Sequence, residues 1–135
     1  MQLALFNLAI DSKLRASDLL SLKVCDVSSQ DRMFNRVKHI QKKTGIEVQF
    51  EITARTQQSL MKWLLLASLS ASDFIFSSPR LKQQSISYSY YRCIVRKWAS
   101  NLGLDPNLYG THTMRRTKAT LVYAKTKNIR AVQLL

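Results

Sequence analysis

The chain has few cysteines, few acidic residues and no long apolar run, and each of these shortages excludes some classes of function. Only two of its 135 residues are cysteines, Cys25 and Cys93, with no Cys-x-x-Cys spacing and no histidine pair at ligand distance. This argues against a disulfide framework and a metal site. We predict no metal or other cofactor, and we expect both cysteines to be small buried or half-buried apolar residues.

The apolar start of the chain, Met1–Ile10, is too short to span a bilayer. No basic segment precedes it, and Asp11 and Lys13 follow at once, which argues against a signal peptide. We interpret it as a buried core helix that includes Leu3 and Phe6, and we predict a cytoplasmic protein with no membrane partner.

Acidic residues are few and unevenly placed. The chain has 21 Lys and Arg against 8 Asp and Glu, a formal net charge of +13. Residues 76–135 hold eleven of the basic residues and a single acid, Asp105. Such an excess favours a polyanion as partner, either nucleic acid or an acidic membrane surface. A charge excess without any ligand remains the alternative.

The middle of the chain has the periodicity of strands. Ile46, Val48, Phe50 and Ile52 alternate with polar residues, which is typical of a half-buried strand. The run 33–41 precedes it, and Gly45 lies in the short segment between the two runs. We therefore predict an antiparallel β-hairpin.

Elsewhere the spacing is helical. We predict a short helix beginning near Ala16 or Ser17, one capped by Thr53, one over residues 87–102, one over 112–125 and a last one from Asn128. The helix predicted over residues 87–102 has an apolar stripe on one face, made of Tyr88, Tyr91, Val95, Trp98 and Leu102. The predicted fold class is α+β, a single, mostly helical domain over residues 1–135 with a small antiparallel β-hairpin.

Three separated segments carry the chemistry. The first runs from Arg15 through Asp18 into a leucine-rich short helix, the second is Lys43-Thr44-Gly45, and the third is His112-Thr113-Met114-Arg115. With the tail Ala131–Leu135, their order and spacing resemble the catalytic domain of the tyrosine recombinase (phage integrase) family. The resemblance covers nearly the whole chain and implies the fold of those DNA breaking-rejoining enzymes.

The resemblance also implies roles. In the family a tyrosine attacks a DNA phosphodiester to give a 3′-phosphotyrosine, and no metal is used. Arg15 and Arg115 would hold the phosphate, since a guanidinium binds two oxygens at once and stays charged. His112 would be an acid/base or hydrogen-bonding partner. Lys43 would protonate the departing 5′-oxygen, and Asp18 would orient Arg15.

Each assignment has a plainer alternative. Arg15 is then a solvated arginine at a helix entry, and Lys43 is an ordinary turn residue. His112 only caps its helix, and Asp18 is only an acid favoured by the helix dipole.

The family continues beyond Leu135 with a Leu-Gly-His segment and the nucleophilic tyrosine, and it usually has a separate N-terminal DNA-binding domain. We therefore interpret residues 1–135 as part of a catalytic domain. We predict that none of its five tyrosines is the nucleophile and that this chain alone does not cleave DNA.

Further basic residues are expected to contact the duplex backbone, where most contacts position a protein without reading sequence. They are Arg80, Lys82, Arg92, Arg96, Lys97 and Arg116. The predicted function is that of a fragment of a site-specific recombinase or integrase, in a bacterial or phage mobile element, with double-stranded DNA as partner. Pairing with a second copy or with a full-length recombinase stays open.

Two alternatives remain. The first is a DNA-binding or assembly module without catalysis. The second is an RNA-binding helical domain, against which stands the absence of a strand with interleaved exposed aromatics.

Overall fold

The computed structural model describes residues 1–30, 32–81 and 83–133. Over these it has helices α1 to α7, strands β1 to β4 and a short 3₁₀ turn. The helices are Gln2–Ser12, Ala16–Ser21, Val24–Val27, Ala54–Ala67, Tyr88–Asn101, Thr111–Thr126 and Ile129–Gln133. The strands are Ser28–Ser29, Arg32–Met33, Arg36–Ile40 and Glu47–Glu51, and the 3₁₀ turn is Pro106–Leu108.

Helix α1 lies at the centre and packs against α4, α6 and β4. Its Leu5 and Leu8 are completely buried, as their spacing along a helix predicts. The prediction that this apolar run is buried is wrong for Leu3 and Phe6, which are 66% and 39% exposed. A helix that is apolar on all sides does not reveal which side its neighbours cover.

Strands β3 and β4 form the predicted hairpin. They pair antiparallel, with Val37 opposite Phe50, and both of these side chains are buried against the core. Gly45, at φ +66°, ends the turn in a conformation that favours glycine. The alternation holds for Val48, Phe50 and Ile52, but Ile46 is 62% exposed because it lies at the turn, beyond the edge of the core.

The outer face of the hairpin has no aromatic side chain among the described residues of its two strands. Salt bridges cover it instead, with Arg36 Nη2 2.6 Å from Glu51 Oε1 and Lys38 Nζ 3.3 Å from Glu47 Oε1. The guanidinium of Arg36 holds the pKa of Glu51 below its usual value, chiefly by a hydrogen bond. The second sheet, β1 with β2, was not predicted, because two-residue strands have no readable alternation.

Helix α4 begins after Thr53, as predicted, but Thr53 does not cap it through its side chain. The backbone N–H and the hydroxyl of Thr53 both donate to Asp11 Oδ2 at 2.9 Å, which ties the end of α1 to the junction of β4 and α4. Beyond α4, Ile75 and Phe76 are fully buried within the segment that leads to α5.

Helix α5 begins after Ser87, whose hydroxyl accepts a hydrogen bond from Tyr90 N at 3.1 Å. Its buried side includes Tyr91 and Val95, as predicted, but Tyr88 is 49% and Leu102 76% exposed. The predicted stripe is therefore wrong at both ends, where Tyr88 is the first residue of α5 and Leu102 follows its last residue.

Both cysteines are free and exposed, so the prediction that they are buried or half-buried is wrong. In α3 the inward positions are Val24 and Val27, which leaves position 25 facing outward. In α5 Tyr91 and Ile94 face inward, and position 93 lies between them on the outer side. Among the described residues, no helix is both long and apolar enough to cross a membrane.

Candidate functional site

A small cleft brings together residues from opposite ends of the chain. It has a volume of about 200 Å³ and is lined by Arg15, His112 and Arg115 together with Tyr88 and Thr111. We call it the central cleft. Three of the four side chains that the sequence assigns to catalysis therefore lie around one space.

The local structure explains this convergence. Arg15 directly precedes α2 with an extended backbone, at φ −62° and ψ 152°, so its side chain leaves the chain before the helix begins. His112 and Arg115 lie in the first turns of α6, three residues apart, and so share a helix face. Helix α6 is fixed to α1 by Lys118, whose Nζ donates to the carbonyl of Asp11 at 3.1 Å.

Two contacts fasten the hairpin beside the cleft. The guanidinium of Arg15 donates to Gln41 Oε1, at the end of the hairpin's first strand. The backbone N–H of Lys42 donates to Asp18 Oδ1 at 3.0 Å. Asp18 is fully buried, and His39 Nε2 lies 3.6 Å from the same oxygen. The start of the turn is therefore held against α2.

The role that the resemblance implies for Asp18 differs from what the structure shows. Among the described residues, Asp18 makes no hydrogen bond to Arg15, and its Oδ2 has no partner. The guanidinium of Arg15 is held by Gln41 instead. Asp18 accepts a hydrogen bond from the backbone N–H of Lys42, the residue after Gln41. Gln41 belongs to no motif in the sequence, where its position two residues before Lys43 was the only available signal.

Lys43 is the fourth assigned residue, and it does not line the cleft. It lies exposed in the turn, directly after Lys42, and the described residues give its amine no hydrogen-bond or ion-pair partner. Its backbone is anchored by its neighbours, whereas its side chain extends from the turn into solvent.

A second cleft, of about 450 Å³, adjoins the first on the side of the hairpin. We call it the hairpin-side cleft, and it is lined by Lys13, Gln41 and Gln49 as well as by Arg115 and Arg116. Burial lowers the pKa of the Lys13 amine, and the nearby charges of Lys118 and Arg115 lower it further. Lys13 carries no signal of a functional role in the sequence, because a lysine just after a helix is common.

A third depression, of about 770 Å³, continues the surface on the other side of His112. It contains Arg92, Arg96 and Arg116, and we call it the outer groove. Arg96 donates to Asn107 Oδ1 at 3.3 Å, which orients its guanidinium. His112 lines all three spaces, so they form one continuous surface.

The other residues predicted to contact DNA lie elsewhere. Arg80 is exposed in the loop before α5, and Lys97 is exposed on α5; neither lines the outer groove. Lys82, like Leu134 and Leu135 of the tail, lies outside the described residues.

The charge of this surface has one sign. Six cationic side chains line the three spaces, and among the described lining residues there is no Asp or Glu. They are Lys13, Arg15, Arg92, Arg96, Arg115 and Arg116. Fork-shaped guanidinium groups around a small cleft suit a phosphate oxyanion. The described part of the chain has no group of three His, Cys, Asp or Glu side chains arranged to hold a metal ion.

The tyrosines differ sharply in access. Tyr91 is buried, and burial raises the pKa of its phenol, so it stays protonated and out of reach of a ligand. Tyr88 alone lines the central cleft, where its phenolic oxygen accepts a hydrogen bond from Thr111 at 3.4 Å.

Known proteins resemble this chain in sequence and in fold. The sequence profile of the phage integrase family matches residues 1–135. A probable integrase/recombinase of Bacillus subtilis, YoeC, is 31% identical over 129 residues, which cover 96% of this chain and 66% of that protein. The chain therefore spans slightly less than two thirds of that relative.

Solved structures share the fold. The recombinase XerA superimposes with a TM-score of 0.75 at 20% identity, over 98% of this chain and 46% of XerA. The site-specific recombinase XerH, in a complex with its difH substrate, gives 0.75 at 22% identity, over 98% of this chain and 38% of XerH.

The fold is thus that of tyrosine recombinase catalytic domains, and the α+β, mostly helical prediction is confirmed. The chain belongs to the phage integrase family.

Proposed function

We propose that this chain is the phosphate-binding part of a site-specific tyrosine recombinase, and that its substrate is double-stranded DNA. The observation that carries the proposal is the convergence of Arg15, His112 and Arg115 on one small cleft. Two guanidinium groups on one phosphodiester would neutralise the charge that develops when a nucleophile attacks it. His112, on the same helix face as Arg115, would hydrogen-bond to the same group or transfer a proton.

Lys43 would approach the substrate from the hairpin. Its backbone is anchored through Lys42 and Gln41, while its exposed amine has no partner among the described residues. A lysine so placed suits protonation of the departing 5′-oxygen once DNA covers the turn.

The outer groove extends the same surface along the backbone of the duplex. Arg92, Arg96 and Arg116 would bind phosphates next to the scissile one and so orient the DNA without reading its sequence. Arg80 and Lys97, which are exposed outside the outer groove, would contribute at its periphery. Lys82 lies outside the described residues, and its contact with DNA stays a prediction from the sequence. The alternative of a module without catalysis is not favoured, because it gives no reason for His112 to line the same cleft as Arg15 and Arg115.

Because the chain spans only part of its relatives, we infer that residues 1–135 form one portion of a complete catalytic domain. The nucleophile is then a tyrosine other than the five present here. No metal or other cofactor is required by this chemistry. Such a protein would work in the cytoplasm of a bacterium, where chromosomal, phage and mobile-element DNA are accessible, alone or with further recombinase subunits.

Binding of a fluorescently labelled duplex, followed by anisotropy, tests the proposal. If the five arginines of the central cleft and the outer groove contact phosphates, the logarithm of the association constant should fall with a slope of about −4.5 against the logarithm of salt concentration. Arg15→Ala and Arg115→Ala should each weaken binding about tenfold or more, since each removes a charge-assisted hydrogen bond.

Arg55→Ala is the matched control. Arg55 is exposed near the start of α4 and lines none of the three spaces, so this change removes the same charge elsewhere. If Arg15→Ala and Arg115→Ala bind DNA as tightly as Arg55→Ala, the proposal is wrong. The prediction about the nucleophile is tested with a pool of nicked duplexes of random sequence: covalent trapping on any tyrosine of this chain contradicts it.

A further inference from the structure

We propose that Lys13 binds a DNA phosphate beside the one held by Arg15 and Arg115, as a further substrate-contacting residue of this site. The inference rests on the proposed function and extends it to the hairpin-side cleft. Lys13 is half-buried at the rim of that cleft, which it shares with Arg115 and Gln41.

The backbone conformation at Lys13 favours glycine rather than lysine. The residue ends α1 in the left-handed conformation, at φ 52° and ψ 18°, and its N–H donates to the carbonyl of Ala9 at 3.3 Å. Glycine is the residue usually found at such a position, with asparagine second. A lysine in this conformation makes the fold less stable than a glycine would, and a contact between its amine and a ligand would offset that cost.

The surroundings of the amine are cationic. Among the described residues no carboxylate lies within ion-pair distance of Lys13, and the charges that act on it are those of Lys118 and Arg115. The carboxylate of Asp11, the nearest acid in sequence, accepts two hydrogen bonds from Thr53. A bound anion would offset this local repulsion.

The two lysines differ because the amine of Lys118 already has a hydrogen-bond partner. Its Nζ donates to the carbonyl of Asp11, at the end of α1, where the helix dipole favours a cation. Lys13 has no such partner and lies on the open cleft. Its amine is therefore the one available to an incoming phosphate, and a duplex that places one phosphate in the central cleft presents further phosphates alongside it.

The test compares Lys13→Asn with Lys127→Asn. Asparagine tolerates the left-handed conformation, so Lys13→Asn removes the charge without adding backbone strain. Lys127 ends α6 in the same conformation, at φ 52° and ψ 20°, and is exposed outside the three spaces. The two variants thus lose the same charge from the same kind of backbone position.

We expect Lys13→Asn to weaken duplex binding about tenfold and to reduce the magnitude of the salt slope by about one, while Lys127→Asn changes both far less. Lys13→Arg should restore binding. In NMR titrations the pKa of the Lys13 amine should rise when the duplex is added, because a phosphate favours the charged form.

Equal effects of Lys13→Asn and Lys127→Asn on binding, or a Lys13 pKa that the duplex leaves unchanged, would overturn the inference. Arg115→Ala distinguishes this failure from that of the proposed function. If Arg115→Ala weakens binding and Lys13→Asn does not, only the role of Lys13 is wrong. If neither variant weakens binding, the proposed function fails as well.

Discussion

The contact between Asp18 and the hairpin gives the sharpest prediction on stability. Replacing Asp18 with alanine removes the acceptor of the Lys42 N–H, at 3.0 Å in a partly buried place. An N–H left without a partner there costs about 1–3 kcal/mol. Asp18→Asn keeps an acceptor of the same shape and avoids burying a charge, so it should stay within about 1 kcal/mol of the parent.

The expected loss for Asp18→Ala, about 2 kcal/mol, corresponds to a change of about 30-fold in the folding equilibrium. For 135 residues, the entropy of unfolding near 60 °C is about 0.28 kcal/mol/K, so the melting temperature should fall by about 7 °C. Thermal unfolding followed by circular dichroism measures this. Amide hydrogen exchange should also quicken at residues 41–45, where the hairpin loses its attachment to α2.

Asp26→Ala is the control. The carboxylate of Asp26 also accepts one backbone N–H, from Lys23 at 2.7 Å, but this contact is exposed and local to α3. It should cost less stability and leave exchange in the hairpin unchanged. If Asp18→Ala melts with the parent and its hairpin amides exchange at the parent's rate, the contact does not hold the hairpin, and the reasoning is refuted.

Three further predictions follow from single contacts. Leu60→Ala should lower the free energy of unfolding by about 2–5 kcal/mol in urea titrations, because Leu60 is fully buried; a loss under 1 kcal/mol would contradict its place in the core. Glu51→Gln should be less stable than the parent at pH 7, since Arg36 lowers the pKa of Glu51. That difference should vanish in thermal unfolding as the pH falls through the lowered pKa, and a difference constant down to pH 3 would exclude this cause. Tyr88→Phe should weaken duplex binding by less than about threefold in the anisotropy assay, because it removes one hydroxyl and no charge; a loss as large as that of Arg115→Ala would give the Tyr88 hydroxyl a larger role.

The sequence predicts those parts of the fold that depend on local periodicity. The alternation through Val48, Phe50 and Ile52 correctly predicts the second strand of the hairpin, and the spacing of His112 and Arg115 correctly predicts that they share a helix face. Periodicity did not predict the exposure of Leu3 and Phe6, because it identifies an apolar face without showing what covers it.

The site was predictable only where a motif marks it. Arg15, His112 and Arg115 belong to the motifs and do lie together. Gln41 and Lys13 belong to no such pattern, and they reach the site through contacts between distant segments that only the folded chain reveals.

The attachment of the hairpin has a consequence for sequence variation. Asp18 holds the turn through the peptide N–H of residue 42, a group that every amino acid except proline supplies. Lys42 can therefore be replaced by any residue except proline without loosening the turn. A change in the number of residues between Gln41 and Lys43, by contrast, would displace the lysine that follows. The length of this segment, rather than the identity of its middle residue, is what natural variants should preserve.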